Sequence, residues 1–446
     1  MKGQCKESEM GNIDLFNYQQ NLFERICSIQ ELERAFKAVK RNGGAPGVDG
    51  VSIEEFESRL SRELTQLKKD IESWNYQPSP VRRVEIPKPG NAGVRLLGIP
   101  TVRDRILHAS IKAVLEPIFE AVFSEHSYGF RPGRNQRQAV EAAQKIVQSG
   151  KEYVVDIDLS KFFDRIHHDR LINRLKLQVA DKRVLRLIGI ILRSGIMQDG
   201  LVEPSTEGSV QGSPLSPLLS NIVLDELDKE LERRELEFCR FADDSNIFVK
   251  SQKAAERVMQ TVSKFIENRL KLVVNREKSK VALSKGVKFL GMTIVAATIA
   301  ISPKSMQRAM DKVKELTPRG TSLTMEQTVA KINRWYVGWA NYHKMTQYPS
   351  QLRTVEAHIR RRLRSRIVSQ QKRKRHLYEK LVERGISRKH AASTVYSNKG
   401  RWALSGSFAL QKAFPNSWFT QTMVQEIFSN KQLPHWFDVG TWIKFT

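Results

Sequence analysis

Three things are scarce in this sequence. Cysteine is the first: Cys5, Cys27 and Cys239 are the three in 446 residues, and they share no paired spacing. That excludes a disulfide framework and a zinc-ligand pattern, and it fits a reducing, cytoplasmic setting. Long apolar runs are the second. No uninterrupted stretch would span a bilayer, and the opening "MKGQCKESEMGNIDLF" has no apolar signal core. A soluble protein without a membrane partner is the expectation. Acidic residues are the third: 48 Asp and Glu stand against 74 Lys and Arg, a formal net charge of +26. Such an excess points to a polyanionic partner, and with no lipidation signal nucleic acid comes before membrane.

What is present suffices for a folded chain. Hydrophobic residues make up 40%, and 446 residues can hold two or three domains with a sizeable core. Residues 13 to 75 read as amphipathic helices interrupted by the turn "RNGGAPGVDG". "VRRVEIPKPGNAGVRLLGIP" (81–100) reads as two short strands around a Pro/Gly loop. A helix is expected at about 103–122, then the basic loop "SYGFRPGR", then a helix at 135–149. "YVVDIDL" (153–159) alternates Val155, Ile157 and Leu159 against Asp156 and Asp158, the pattern of a strand with one buried face. Helices continue to about 194, followed by a Gly-rich turn, a helix at about 214–237, another at 252–270 and short strands to about 302. Thr324 opens a T-x-x-Q capping box. Beyond it Ile332, Trp335, Trp339 and Tyr342 form one stripe, read as core packing. The fold class is α+β, ending in a basic and mostly helical part.

The positive charge is concentrated. Residues 351–401 hold sixteen Lys and Arg against three Glu, half of the net charge. Within it "HIRRRLRSRIVSQQKRKRH" keeps Ile359, Leu363 and Ile367 at spacings of four, so one side of a helix is apolar and the other almost wholly cationic. Arg360, Arg361, Arg362, Arg364 and Arg366 have few acidic partners in the segment, namely Glu356, Glu379 and Glu383. They are expected on the phosphates of a nucleic acid.

Acidic residues, though scarce, are pointedly placed. "CRFADDSNIFVKS" (239–251) sets Asp243 and Asp244 between two apolar runs and reads as strand, turn, strand. Asp suits turns because its side chain bonds its own backbone, so an Asx turn is the plainest account. A divalent cation is the other. Hard ions such as Mg²⁺ take one or two protein carboxylates and leave room for substrate phosphates. A metal would call for a further carboxylate on a neighbouring strand, and Asp158, ahead of the abrupt change at "LSKFFD", meets that need. Asp156 shares its face, and spacing alone does not choose between them. A strand-end carboxylate beside a paired-carboxylate hairpin suits phosphoryl transfer with two metals about 4 Å apart.

Further blocks occur in order: "GAPGVDG", "RRVEIPKPG…GVRLLGIPTVRDR", "SYGFRPGR", "VVDIDLSKFFDRIHHD", "QGSPLSPLLSNIVLDELD", "RFADD", "VNREKSK" and "KFLG". Through them the chain resembles the group II intron-encoded reverse transcriptases, or maturases, over roughly residues 13 to 400. The resemblance implies a right-hand polymerase of fingers, palm and thumb acting as an RNA-directed DNA polymerase. Its catalytic and metal-holding carboxylates fall on Asp158, Asp243 and Asp244, with Asp156 as a support. The implied cofactor is Mg²⁺, two per active site, with Mn²⁺ as a substitute. The implied partners are an RNA template, a DNA or RNA primer, dNTPs and structured intron RNA, in a bacterial cytoplasm.

By the same resemblance Phe163, five residues after Asp158, would exclude a nucleotide 2′-OH. Gln211 and Gly212 would line the incoming nucleotide, the glycine permitting close backbone approach. Lys88 and Arg95 would neutralise its triphosphate, and Lys278 would stand near the active site. Phe289, Leu290 and Gly291 would grip the primer end, and Arg131 and Arg134 would meet the template backbone. The implied domains are fingers and palm over 1–304 (with an N-terminal extension to about 45), a thumb or maturase domain over 305–375, and a basic DNA-binding segment over 376–446.

Three departures stand out. Phe241 replaces the usual Tyr, "SVQG" with Val210 replaces "TPQG", and the tail "SWFTQTMVQEIFSNKQLPHWFDVGTWIKFT" has neither the His-Asn-His residues nor the cysteine pairs of the nuclease that ends many members. A self-contained DNA-cutting activity is not expected. Two other functions compete. One is a free-standing group II-like enzyme serving host DNA repair or phage defence, to which the departures at 210 and 241 give weight. The other is an RNA-binding splicing cofactor with a dormant polymerase, against which the intact aspartate trio argues.

Overall fold

The computed structural model describes residues 20–87, 94–198, 201–203, 208, 212–318 and 320–419. The chain divides into two compact units, one up to Leu283 and one from Ser284.

The first unit opens with helices α1 (Leu22–Cys27), α2 (Ile29–Asn42), α3 (Ile53–Ser58) and α4 (Leu60–Glu72). Ser28 and Ser52 start α2 and α3 by accepting the backbone N–H of Glu31 and Glu55. The two strands expected around the Pro/Gly loop form as β1 (Val81–Pro87) and β2 (Val94–Ile99), and they pair antiparallel. Helix α5 (Val102–Glu120) is buried on nearly every side, and α6 (Gln136–Gln148) begins with a capping box between Asn135 and Gln138. After β3 (Tyr153–Ile157) come a 3₁₀ turn at Phe162–Arg165, α7 (His168–Leu175) and α8 (Lys182–Leu192). The stretch read as a Gly-rich turn contains a short hairpin instead, β4 (Ile196–Gln198) and β5 (Leu201–Glu203). β4 lies parallel to β1, with Val81 opposite Ile196. That pairing spans more than a hundred residues, and no local pattern announces it.

Helix α9 (Ser216–Arg233), strands β6 (Glu237–Phe241) and β7 (Asp244–Val249), helix α10 (Gln252–Phe265) and strand β8 (Lys280–Leu283) complete the unit. The central sheet has the order β6-β7-β3-β8, antiparallel throughout. Side chains alternate across it. Phe238, Ile247, Val155 and Val281 form one row across the four strands, joining the core that also holds Leu218, Leu219 and Ile222 of α9. Cys239, Asn246, Asp156 and Lys280 form the adjacent row on the opposite face. The aspartates are therefore displayed on the face that the core does not use.

The second unit contains the pair β9 (Met292–Val295) and β10 (Thr298–Ile301), then α11 (Pro303–Leu316), α12 (Met325–His343), α13 (Pro349–Gln370), α14 (Lys374–Glu383), α15 (Arg388–Val395), α16 (Arg401–Ser405) and α17 (Phe408–Ala413). The Thr324–Gln327 capping box forms with both of its hydrogen bonds. The buried stripe of α12 differs from the expected one. Ile332 is buried, but its companions are Asn333, Tyr336, Ala340 and His343, while Trp335, Trp339 and Tyr342 are half-buried. Tyr336 draws the stripe round by donating its hydroxyl to the Glu356 carboxylate at 3.1 Å.

On α13, Ile359, Leu363 and Ile367 are buried as expected. The arginines of that helix fasten the unit internally, and for the buried Arg364 this corrects the expected phosphate contact. Arg360 pairs with Glu356 at 3.5 Å. Arg361 lies over the Trp402 ring at 4.1 Å and donates to the Trp402 carbonyl. Arg362 donates to the hydroxyl and carbonyl of Thr317 at the end of α11, and Arg364, itself buried, to the Phe414 carbonyl at 2.9 Å. Arg366 donates to the Thr328 hydroxyl and the Leu323 carbonyl. Counting acidic residues missed this because carbonyls at helix ends accept guanidinium donors as readily as carboxylates do. Among the described residues no helix is long and apolar enough to cross a membrane.

Arg364→Gln should therefore lower stability by about 1–3 kcal/mol, since the buried Phe414 carbonyl loses its donor. Urea unfolding monitored by circular dichroism measures it. Unchanged stability together with a shallower salt dependence of RNA binding would restore the phosphate-contact reading for this residue.

Candidate active site

The aspartate pair sits where the hairpin expectation put it. Phe241 and Asp244 are the last paired residues of β6 and β7, leaving Ala242 and Asp243 as a two-residue turn. Ala242 has φ 58°, a left-handed conformation that L side chains seldom adopt. Such strain persists only where surrounding structure over-determines it.

That surrounding structure is visible. Arg240 and Asp228 of α9 are fully buried and make a two-pronged ion pair at 2.7 and 2.5 Å. The same guanidinium donates at 2.9 Å to the Asn221 side-chain oxygen and at 2.9 Å to the Ala242 carbonyl. Asn221 in turn donates to the Gly129 carbonyl at 2.9 Å. Around this point Tyr128 donates its N–H to the Arg240 carbonyl, and Arg240 donates its own to the His126 carbonyl. Gly129 presses so closely on the turn that a Cβ there would lie 2.2 Å from the Ala242 nitrogen. The "SYGFRPGR" loop thus buttresses the aspartate turn from behind.

Asp158 follows β3 directly. The β3–β7 register runs to Ile157 opposite Ser245, so one further step sets Asp158 beside Asp244. Its backbone is clamped by the "VNREKS" turn: its N–H donates to Ser279 Oγ at 3.0 Å, and its carbonyl accepts the Asn275 N–H at 2.9 Å. Lys278 Nζ stands 3.6 Å from the Asp158 carboxylate, both partly exposed. Asp156 lies one row back, opposite Asn246. Burial pushes its carboxyl up to about 6, Lys280 opposing and Asp158 adding to the shift. It is a poorer anion than an ordinary aspartate, which suits a support rather than a ligand.

These carboxylates supply only oxygen donors, the set a hard divalent cation takes. Among the described residues no group of three or more His, Cys, Asp or Glu is gathered tightly enough to enclose a metal. The donor set fits an ion that keeps one or two protein carboxylates and completes its shell from substrate phosphates.

A cavity of about 430 Å³ is lined by Phe163, Gly212, Phe130, Leu97, Pro100 and Arg105. Gly212 has φ 124°, and a Cβ there would lie 2.3 Å from the Gly98 carbonyl oxygen, so two backbones meet where no side chain fits. Arg105 is anchored by donating to the Ala45 carbonyl at 3.0 Å. Ser213, itself in the lining, has its Oγ 2.9 Å from Nδ1 of the buried His108, and burial lowers the His108 pKa to about 4, keeping it neutral.

Residues 86–294 match the family model described as reverse transcriptase (RNA-dependent DNA polymerase), and residues 306–385 match the group II intron, maturase-specific domain. Protein YkfC of Escherichia coli (strain K12) is 33% identical over 317 residues, covering 62% of this chain and 83% of that protein. The chain belongs to the reverse transcriptases. Group II intron-encoded protein LtrA of Lactococcus lactis subsp. cremoris is 30% identical over 249 residues, 56% of this chain and 40% of LtrA. The putative COX1/OXI3 intron 2 protein of Saccharomyces cerevisiae is 28% identical over 333 residues, 61% of this chain and 39% of that protein. The chain thus spans well under half the length of these two intron proteins.

By family this reverse transcriptase is an RNA-directed DNA polymerase of right-hand fold with a group II maturase domain. The structure brings Phe163 and Gly212 together in one cavity and sets Lys278 beside Asp158. Arg131 is a correction. It is buried, pairs with Glu120 and donates to the Ser124 and Ser127 carbonyls, so its guanidinium is spent inside the fold. Arg134 pairs with Glu125 and lies 5.4 Å from the Tyr128 ring. In the second unit, Leu290 and Gly291 form a two-residue turn with φ 49° and 82° between Phe289 and Met292, and the Tyr342 hydroxyl donates to the Leu290 carbonyl at 2.8 Å. Lys88, Val210, Gln211, the Arg95 side chain and the tail from 420 lie outside the described residues. Sequence reasoning missed Arg240, Asp228, Asn221, Asn275, Ser279, Arg105 and Phe130. Their one advance signal was position, inside or beside the recognised blocks.

Gly129→Ala should displace the aspartate turn and slow primer extension by about 10²-fold, the cost of misplacing catalytic groups by roughly an ångström. Single-turnover extension measures it, with circular dichroism to confirm folding. Parental rates would show that loop and turn are not in contact.

Proposed function

We propose that this reverse transcriptase joins dNTPs to a primer on an RNA template by two-metal phosphoryl transfer, and that it binds structured intron RNA as a splicing maturase. The observation that carries the polymerase reading is the register setting Asp158 beside Asp244, with Phe163 of the cavity five residues further on. The maturase-specific match over 306–385 supports the second role.

Asp158, Asp243 and Asp244 would hold the cations. Divalent ions bound there would lower the barrier by neutralising charge on the attacking 3′-oxygen and the departing pyrophosphate. The Asn275–Ser279 turn fixes the position of Asp158, and the Arg240 network fixes that of the turn. Lys278 stands near the reacting groups, Lys88 and Arg95 would neutralise the triphosphate, and Gln211 and Gly212 would line the incoming nucleotide, the glycine backbone coming close to it. Phe163 closes the sugar side of the cavity, and Phe289, Leu290 and Gly291 hold the primer end. In this reading fingers and palm run to about 304, the thumb or maturase domain to about 375, and a DNA-binding segment follows.

Asp158→Asn and Asp243→Asn should each abolish primer extension and leave RNA affinity nearly unchanged, because metal ligation and backbone contact use different groups. Asp156→Asn should be milder. Extension at the parental rate by either Asp158→Asn or Asp243→Asn would remove the catalytic assignment. Equal loss at 156 and 158 would undo the choice between them.

Phe163→Ala should raise ribonucleotide incorporation relative to deoxyribonucleotide. Competition between the two nucleotide types in one extension reaction reads this directly, and an unchanged ratio would make the ring a packing residue.

A further inference from the structure

The second unit holds a cavity of about 400 Å³ lined by Arg362, Ser365, Arg366, Ser369, Arg401 and Trp402. Its described lining contains three guanidinium groups and three hydroxyls, counting Thr317, and no acidic residue. Arg401 and Trp402 lie beyond the stretch matched by the maturase-specific model, which ends at 385.

The cations are fixed before any ligand arrives. Arg362 is held by the Thr317 hydroxyl at 2.9 Å and the Thr317 carbonyl at 2.6 Å. Arg366 is held by Thr328 and the Leu323 carbonyl, and Arg401 by the Ser369 hydroxyl at 3.0 Å. Arg361, over the Trp402 ring at 4.1 Å, holds the indole wall. The hydrogen bonds that anchor these side chains run to neutral oxygens, and Glu326, outside the described lining, is a counter-charge near Arg366. Three like charges around one space repel each other, and an anion among them relieves that repulsion. Guanidinium forks match phosphate oxygens in geometry, and anchoring them beforehand cuts the ordering cost of binding.

We propose that this cavity is a phosphate site taking one backbone phosphodiester of the RNA that the enzyme holds. It rests on the nucleic-acid partner of the proposed function but not on polymerase chemistry. It also gives the arginines of α13 a second part. They fasten the helices, and three of the unit's guanidiniums turn the remaining space into an anion seat.

The test measures affinity for a structured RNA across a potassium chloride series, with full-length parent, Arg401→Gln, Arg401→Lys and Ser365→Glu. Arg401 serves because its anchor is a single hydroxyl, whereas Arg362 and Arg366 hold helix junctions. Arg401→Gln should weaken binding and reduce the slope by roughly 0.7 log units per log unit of salt, the loss of one phosphate contact. Arg401→Lys should restore most of that slope, and Ser365→Glu, placing a carboxylate in the seat, should weaken binding at least as much. Thermal unfolding should match the parent, and single-turnover extension at saturating RNA should keep the parental rate. Equal slopes for parent, Arg401→Gln and Ser365→Glu would overturn the proposal. A separate arm adds inorganic phosphate at constant ionic strength. If it raises the unfolding temperature of the parent but not of Arg401→Gln while the RNA slopes stay equal, the occupant is free phosphate and the RNA assignment falls. A parent that binds RNA but extends no primer would count against the polymerase reading alone, because the slopes still decide the cavity.

Discussion

One buried ion pair holds the catalytic face in place. Arg240 and Asp228 are wholly removed from water, and desolvating two charges is costly enough that such a pair is seldom kept for stability alone. What this pair adds is direction. Its guanidinium reaches past Asp228 to Asn221 and to the Ala242 carbonyl, so helix α9, strand β6 and the turn carrying Asp243 share one anchor. The positive φ at Ala242 is sustained by that anchor and by the close approach of Gly129. Removing one partner would leave a buried charge uncompensated, a loss of about 3–5 kcal/mol. The site depends on the pair even though neither residue reaches the substrate side of the sheet.

The same physical theme returns in the second unit with different partners. There a surplus of cations is kept in order by neutral oxygens. Arg364 is the extreme case: burial lowers its pKa from the usual value to about 10, with Arg360 adding to the effect, and the Phe414 carbonyl and the Asn416 side chain receive its donors. A guanidinium can cap a helix end and remain charged. A net charge of +26 is therefore compatible with a packed, helical unit, and it is not a census of nucleic-acid contacts.

The open face of the central sheet shows how polarity is graded toward the site. Asp158, beyond the strand end, is 41% exposed at its side chain. Asp156, one row inward, has a carboxyl pushed up to about 6 by burial, and Asn246 beside it is fully buried. Because the folded pKa of Asp156 is raised, its contribution to stability is full below the ordinary aspartate range and is lost as pH rises through about 6. Two aspartates two residues apart thus differ in character, and the difference is one of depth.

The local elements and the identity of the chemistry-bearing blocks were legible in the amino-acid order. Alternation around Val155 and Ile157 set β3, the apolar runs about Asp243 and Asp244 set the hairpin, and Thr324–Gln327 set a helix start, because each is fixed by neighbours within a few residues. Which strands distant in sequence stood side by side came only from the folded chain, as in the parallel contact of β4 with β1. It alone assigned Arg131, Arg362, Arg364 and Arg366 to internal carbonyls, and it alone tied Gly129 to Ala242 across more than a hundred residues. The physical reason is the same in each case. A charged or strained group takes its role from the partner that meets it in space, and one-dimensional spacing specifies such a partner only when it lies within a turn or two of the chain.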